Sequence, residues 1–363
     1  MWSPKQQQAI KEIKAWLDDP HRKQVFKLFG YAGTGKTTLA RHIADMVNGY
    51  VIFGAFTGKA ALVMRQSGCY GARTIHSLIY KTFTNKKTGK PVFSLNVASE
   101  AHSADLIIID EVSMINAQMA ADLLFFKKPI LVLGDPGQLP PVEGSGFFTR
   151  GKPDIMLTEI HRQAEDNPII QLATIIRKEK MPPVGRYGNS TVMSELRPVD
   201  AMEASQVIVG LNKTRNQFNA TMRHSMGIEA IFPTPSERLI CLNNDKDLGI
   251  YNGGMFTVQN ITASGDFCYM SLESEDELRD PVMVKVSKHY FDPSLEEPDW
   301  KRLKGSQAFD FAYAITAHKS QGSQWENVLI FDESRVFKKD RWRWLYTAVT
   351  RATDKITLVR DDI

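Results

Sequence analysis

Gly30-Tyr31-Ala32-Gly33-Thr34-Gly35-Lys36-Thr37 fits GxxxxGK[ST], and its neighbours are those the pattern needs. The apolar run 25–29 reads as a buried strand before it, and helical spacing follows over 38–47. Glycines let the backbone fold around a phosphate chain, while loop N–H groups and the helix N-terminus supply positive potential. In such a loop Gly33, Thr34 and Gly35 bring backbone to the phosphates, Lys36 reaches the terminal ones and Thr37 offers a hydroxyl to Mg²⁺.

Outward from this loop the pattern strand, loop, helix repeats. Runs 50–56, 106–109 and 130–133 are short and apolar, as expected for strands of a parallel sheet covered on both faces. Ser3-Pro4 starts a helix whose apolar residues recur until Asp18-Asp19-Pro20. Asp110-Glu111 ends the third strand, where the first acid can hold a metal and the second can activate water. Gln138, in Gly134-Asp135-Pro136-Gly137-Gln138-Leu139-Pro140-Pro141, lies past the C-terminal end of the fourth, where open α/β sheets bind ligands, and is a candidate γ-phosphate sensor.

Two stretches break the pattern. Residues 81–95 read as a projecting basic hairpin with a turn at 85–90. Residues 238–306 carry strands, glycine turns and the acidic stretch 273–280, as in an inserted small β domain. Residues 177–200, rich in Pro, Gly and charge, read as a surface excursion. The expected fold is α/β: a first lobe at 1–159 with the hairpin insertion, a second at 160–237 plus 307–363, and a small β-barrel-like insertion at 238–306.

The 363 residues have 43% hydrophobic and 24% charged content, which excludes a disordered or collagen-like chain. Forty-five Lys and Arg against 41 Asp and Glu leave +4, which permits a polyanionic partner. Cys69, Cys241 and Cys268 lack zinc-ligand spacing, and neither a secretory leader nor a membrane span is legible. A cytoplasmic chain is expected.

Together the motifs resemble superfamily 1 helicases of the RecD-like, or Dda-like, subgroup, and the likeness runs along nearly the whole chain. Residues 30–37 resemble motif I, 57–61 motif Ia, 74–78 motif Ib, 110–114 motif II, 134–142 motif III, 157–163 motif IV, 316–322 motif V and 346–352 motif VI. The resemblance implies two RecA-like lobes with MgATP between them, ATP hydrolysis, movement on single-stranded DNA in the 5′→3′ sense, and strand separation at single/double-strand DNA junctions. Replication or recombination proteins are the implied protein partners, without a membrane.

By position, the resemblance makes Arg162 and Arg351 arginine fingers, and a guanidinium fork suits a γ-phosphate whose charge spreads in the transition state. Gln6 aligns with an adenine-reading glutamine, though Gln6-Gln7-Gln8 leaves its register open, and His161 stands where relatives place a base-packing aromatic. Thr57, Lys59, Thr74, His76, Thr316, His318 and Ser320 match a groove that holds strand phosphates. The hairpin matches the family's pin, with Phe83 or Phe93 as the ring facing the junction. Gln324 departs from the Glu common in relatives. Two other readings stay open: a strand translocase or remodeller without useful unwinding, and a nucleotide-switched binding module.

Overall fold

The computed structural model describes residues 2–84, 91–140, 146–159, 167–245, 247–276, 279–296 and 298–361. The opening helix, Pro4–Asp18, is fixed by a reciprocal cap: the Ser3 hydroxyl accepts from the Gln6 N–H and the Gln6 side-chain oxygen accepts from the Ser3 N–H.

The chain then lays down β1 (Val25–Gly30), β2 (Val51–Ala55) and β3 (Arg73–Thr74). An antiparallel ribbon, β4 (Tyr80–Thr84) with β5 (Pro91–Leu95), follows, and its turn at 85–90 lies outside the described residues. Strands β6 (Leu106–Asp110), β7 (Ile130–Gly134) and β8 (Ile155–Leu157) complete a wholly parallel sheet in the order β3-β2-β6-β7-β1-β8. Its central strands are apolar throughout because both faces are covered. Helices Pro4–Asp18, Lys36–Met46 and Gly58–Gln66 pack on one face through Ile13, Leu39 and Met64; Ile75, Leu123 and Phe148 cover the other. The strand order sets β7 between β1 and β6, so the loops leaving all three strands emerge side by side.

Next come β9 (Gly185–Tyr187), β10 (Ser190–Met193) and β11 (Gln206–Val209), then five strands of another sheet: β12 (Arg238–Cys241), β13 (Met255–Ser264), β14 (Phe267–Ser274), β15 (Val282–Ser287) and β16 (Phe309–Phe311). The chain returns with β17 (Ala314–Thr316), β18 (Trp325–Phe331) and β19 (Ala352–Val359). The second sheet runs β17-β11-β18-β19-β10-β9, parallel except at β9. The third, β15-β14-β13-β12-β16, is antiparallel, and Val286 of β15 forms a bridge to Gln307 just before β16.

One expectation is corrected here. Part of 177–200 is no surface excursion: Ser190 and Val192 are buried in β10, and the Ser190 hydroxyl accepts from the Ile356 N–H. A four-residue strand flanked by Gly and Pro carries too short an alternation to be seen. Residues 337–344, where cations and aromatics interleave, serve the core: Trp344 is fully buried and Phe337 stacks on it, ring centres 5.6 Å apart. Cys69, Cys241 and Cys268 are buried free thiols that burial pushes up to about 11, 12 and 12. Among the described residues no helix is long and apolar enough to cross a membrane.

A buried ion pair helps to tie the third sheet to the second. Arg223, on helix Asn212–Ser225, donates to Glu237 at 2.7 and 3.2 Å and lies over the Phe311 ring. Glu237 also accepts from the Thr234 N–H at 2.7 Å and from the Tyr313 hydroxyl at 3.1 Å. Removing one partner of a buried pair strands the other charge, so Glu237→Ala should cost about 3–5 kcal/mol. A urea titration reads this as a lower midpoint; an unchanged midpoint would contradict it.

Candidate nucleotide site and strand track

Gly33 (φ 77°) and Gly35 (φ 75°) both take left-handed backbone, which allows the loop after β1 to curl into the start of helix Lys36–Met46. The Lys36 ammonium donates to the carbonyls of Gly30 at 2.7 Å and Tyr31 at 3.1 Å. Thr34 is buried, its hydroxyl donating to the Tyr31 carbonyl at 2.8 Å, so it shapes the loop from within. Lys36, Thr37, Asp110, Glu111, Gln138 and Arg351 all line one cavity of about 250 Å³. Arg351 enters it from the second sheet's side, the other five from the first.

Asp110 Oδ2 accepts from the Thr37 hydroxyl at 3.1 Å, and Oδ1 accepts from the Glu111 N–H at 2.7 Å. Adjacent oxygens of an octahedron with ligands at 2.0–2.1 Å sit about 3 Å apart, so this pair of hard oxygens fits two corners of a Mg²⁺ shell whose others come from phosphate and water. Burial pushes Asp110 upward, with Lys36 opposing. Glu111 (φ 54°) is held in left-handed backbone at the strand end. Burial, and then Asp110, raise Glu111 to about 6, with Arg351 and Lys36 opposing. Gln138 is buried, and its Oε1 accepts from the Ser113 hydroxyl at 3.4 Å.

Arg351 is 4% exposed. Its Nε donates to the Thr347 carbonyl at 3.0 Å and its Nη1 to the Ser323 carbonyl at 3.2 Å, which fixes the guanidinium beside the carboxylates. Two residues without a role in the sequence reading belong here. The Tyr346 hydroxyl donates to Asp135 Oδ2 at 2.8 Å and accepts from the Ala32 N–H at 3.0 Å, so it joins helix Arg341–Val349 to the loop after β1. Asp135 is buried and pushed upward by that burial. Both lie inside motifs III and VI, next to the residues chosen.

Gln6 does not line the cavity. Its Nε2 donates to the Thr34 carbonyl at 3.1 Å while its Oε1 takes the Ser3 N–H at 2.9 Å, so both ends of the amide brace the phosphate loop. His161 and Arg162 lie outside the described residues.

A second cavity, of about 390 Å³, is lined by Thr57, Lys59, Thr316 and His318 together with Lys319 and Asn252, so all three sheets contribute to it. Thr57 caps helix Gly58–Gln66 by accepting from the Ala60 N–H at 3.1 Å. Lys59 pairs with Asp276, beyond β14 of the third sheet. Burial pushes His318 and Lys319 downward, and Lys319 Nζ donates to Asn252 Oδ1 at 3.0 Å. Lys319, within 316–322, lines this cavity and was not singled out in the sequence.

Three expected track residues do not line it. Thr74 is buried as the cap of helix Ile75–Ile79, its hydroxyl donating to Ser77 Oγ at 3.1 Å. Ser320 is fully buried, its hydroxyl donating to the Ala317 carbonyl at 2.8 Å. His76 sits in an aromatic cluster, 5.0 Å from the Phe93 ring and 5.6 Å from Tyr80. Cap and turn geometry took the two hydroxyls and ring packing the imidazole. Across the ribbon Thr82 faces Phe93 and Phe83 faces Val92, so the two phenylalanines point to opposite sides. Phe93 has the His76 and Tyr80 rings beside it and is 46% exposed, and Phe83 is 56% exposed.

Comparison with known proteins agrees with this architecture. Residues 1–196 match the AAA domain family and residues 311–359 the UvrD-like helicase C-terminal domain. The ATP-dependent RecD2 DNA helicase of Deinococcus radiodurans is 28% identical across 93% of this chain and 47% of its own length. The ATP-dependent DNA helicase Pif1 of Campylobacter jejuni is 22% identical across 91% of this chain and 87% of its own. Bacteroides Pif1 bound to ssDNA shares the fold with TM-score 0.61 and 18% identity, over 98% of this chain and 92% of that one. Candida albicans Pif1 does so at 0.58 and 17%, over 100% and 95%. The chain spans about half the length of the RecD2 relative. Since the first of these matches takes in more than half of the 363 residues, the chain belongs to the AAA domain family.

Proposed function

We propose that this chain is an ATP-driven DNA helicase that moves along single-stranded DNA, 5′→3′, and separates the duplex ahead of it. The observation that carries the reading is Arg351: a second-lobe guanidinium shares one cavity with Lys36, Asp110 and Glu111 of the first lobe. Hydrolysis in such a cleft is sensitive to how the lobes sit, which is what a motor requires. The names of the RecD2 and Pif1 relatives and the strand bound to Bacteroides Pif1 point the same way.

In this reading Lys36 and the loop amides hold the β- and γ-phosphates. Thr37 and Asp110 would hold Mg²⁺, which when bound would neutralise phosphate charge. Glu111 orients and deprotonates the attacking water, Gln138 senses the γ-phosphate, and Arg351, with Arg162 as the second finger, steadies charge that develops on the transferred group. Gln6 supports the loop, and His161 packs on the base. Thr57, Lys59, Thr316, His318 and Lys319 grip strand phosphates without reading sequence. Phe83, on the open side of the ribbon, meets the junction while Phe93 anchors the ribbon's base. The division into lobes 1–159 and 160–237 plus 307–363, with a barrel-like 238–306, belongs to the same proposal. The three separate sheets support it, with one bound corrected: β16 (Phe309–Phe311) pairs with β12, so the third sheet runs on past residue 306 to 311.

Arg351→Ala should lower strand-stimulated ATP turnover by about 10³ or more, as loss of an arginine finger does. Lys36→Ala and Glu111→Gln should abolish it in a phosphate-release assay; turnover unchanged in Glu111→Gln removes that residue from the role of base. A base must be unprotonated, and Glu111 is raised to about 6, so kcat/KM for ATP should fall as pH drops through 6 in the wild type. A flat acid limb would contradict this. On forked duplexes, DNA with a 5′ tail should be opened, and Phe83→Ala should slow opening about fivefold or more while strand-stimulated turnover persists, since stacking one base is worth about 1–3 kcal/mol. Opening that requires a 3′ tail overturns the polarity; ATP turnover without any displaced strand favours the translocase reading.

A further inference from the structure

Leu139 follows Gln138 on the first lobe's motif III loop, yet its side chain, its N–H and its carbonyl all engage the second lobe. The side chain, 1% exposed, is part of the core that contains Trp344, Leu345 and Ala317. The N–H donates to the Thr347 hydroxyl at 2.9 Å, and the carbonyl accepts from Gln321 Nε2 at 3.2 Å. Thr347 is also the residue whose carbonyl holds Arg351 Nε. Gln321 stands on the other side, among the residues lining the 390 Å³ track cavity, and its N–H donates to the His318 carbonyl.

Only the NH₂ end of a carboxamide can face a carbonyl, so the contact with Leu139 fixes which way Gln321 points. Its Oε1 is then turned elsewhere, buried, and accepts no hydrogen bond among the described residues. Such an acceptor calls for a donor. Phosphate offers none; a base-edge N–H or a bridging water in the track does.

We propose that Gln321 is a positioning residue that transmits strand occupancy to the nucleotide site. A strand in the track satisfies and immobilises the Gln321 amide, the amide fixes the Leu139 peptide, and the peptide sets the adjoining Gln138 side chain against the phosphate. Thr347 clamps the preceding peptide, through the Leu139 N–H, from the side of Arg351, so sensor and finger are registered by one residue. The inference rests on the strand-driven ATPase reading above.

The test measures ATP turnover with and without saturating oligo-dT for wild type, Gln321→Ala and Gln321→Met. Met keeps the volume but donates nothing. Both variants should show a ratio of strand-saturated to strand-free turnover at least about fivefold below wild type, the low end of ordinary coupling between sites. The oligo-dT concentration that gives half-stimulation should stay near the wild-type value, which separates a coupling defect from a binding defect. Wild-type stimulation retained in Gln321→Met overturns the inference, because packing would then suffice, and so does loss that appears only as weaker strand binding. If the wild type itself shows no strand stimulation, the functional reading fails instead. Melting temperatures establish that the variants are folded.

Discussion

A guanidinium that is 4% exposed must be answered by anionic groups, because a charge taken out of water costs several kcal/mol unless it is paired. Arg351 comes from the second sheet's side, and the carboxylates that favour its charged form, Glu111 and Asp135, stand at the ends of β6 and β7 in the first. Neither half of the molecule can bury its share alone. Burial pushes all three acids upward, and Lys36 and Arg351 set only two positive charges against the three negative ones of Asp110, Glu111 and Asp135. A triphosphate worsens that imbalance. The cleft therefore suits a phosphate chain that arrives with a divalent cation, and the Thr37–Asp110 oxygens are spaced to share one.

Contacts between the three sheets gather where no side chain intervenes. A Cβ on Gly58 would meet Tyr251 of the third sheet's loop at 2.4 Å, one on Gly137 would meet the Tyr346 ring at 2.9 Å, and one on Gly322 would meet Thr57 Oγ1 at 2.8 Å. Gly322 also needs its φ of 79°. Beside the first contact Lys59 pairs with Asp276, so motif Ia reaches the third sheet through a close backbone approach and a shielded ion pair. The track cavity is consequently walled by three bodies, and the nucleotide cavity by two, with Leu139 between them.

Strand runs 106–109 and 130–133, the phosphate loop and the acid pair were legible because each couples a strong local pattern to a fixed chemical need. Strands β8 and β17 were not, being three residues long, and β10 lay hidden in a Pro- and Gly-rich stretch. At the site, Arg351 was found through motif position; composition would have missed it. Tyr346, Asp135 and Gln321 were passed over although they sit inside motifs VI, III and V, because their roles depend on partners more than 180 residues away: Tyr346 joins Asp135 and Ala32, and Gln321 joins Leu139. No periodicity encodes such pairings.

The hydroxyls illustrate the limit at the level of single protons. Ser or Thr at a helix start is worth about 1 kcal/mol as a cap, so capping alone accounts for its presence in the sequence. Strand phosphate is an acceptor and asks for the hydroxyl proton, whereas a cap asks only for the oxygen lone pair. Thr57 and Thr316 accept from the backbone N–H groups of Ala60 and Lys319, which leaves each proton to be given to a phosphate in the cavity they line. Thr74 and Ser320 have spent theirs on Ser77 and Ala317. Four residues that look equivalent as letters are thus divided by where one hydrogen points, and that is set by the fold around them.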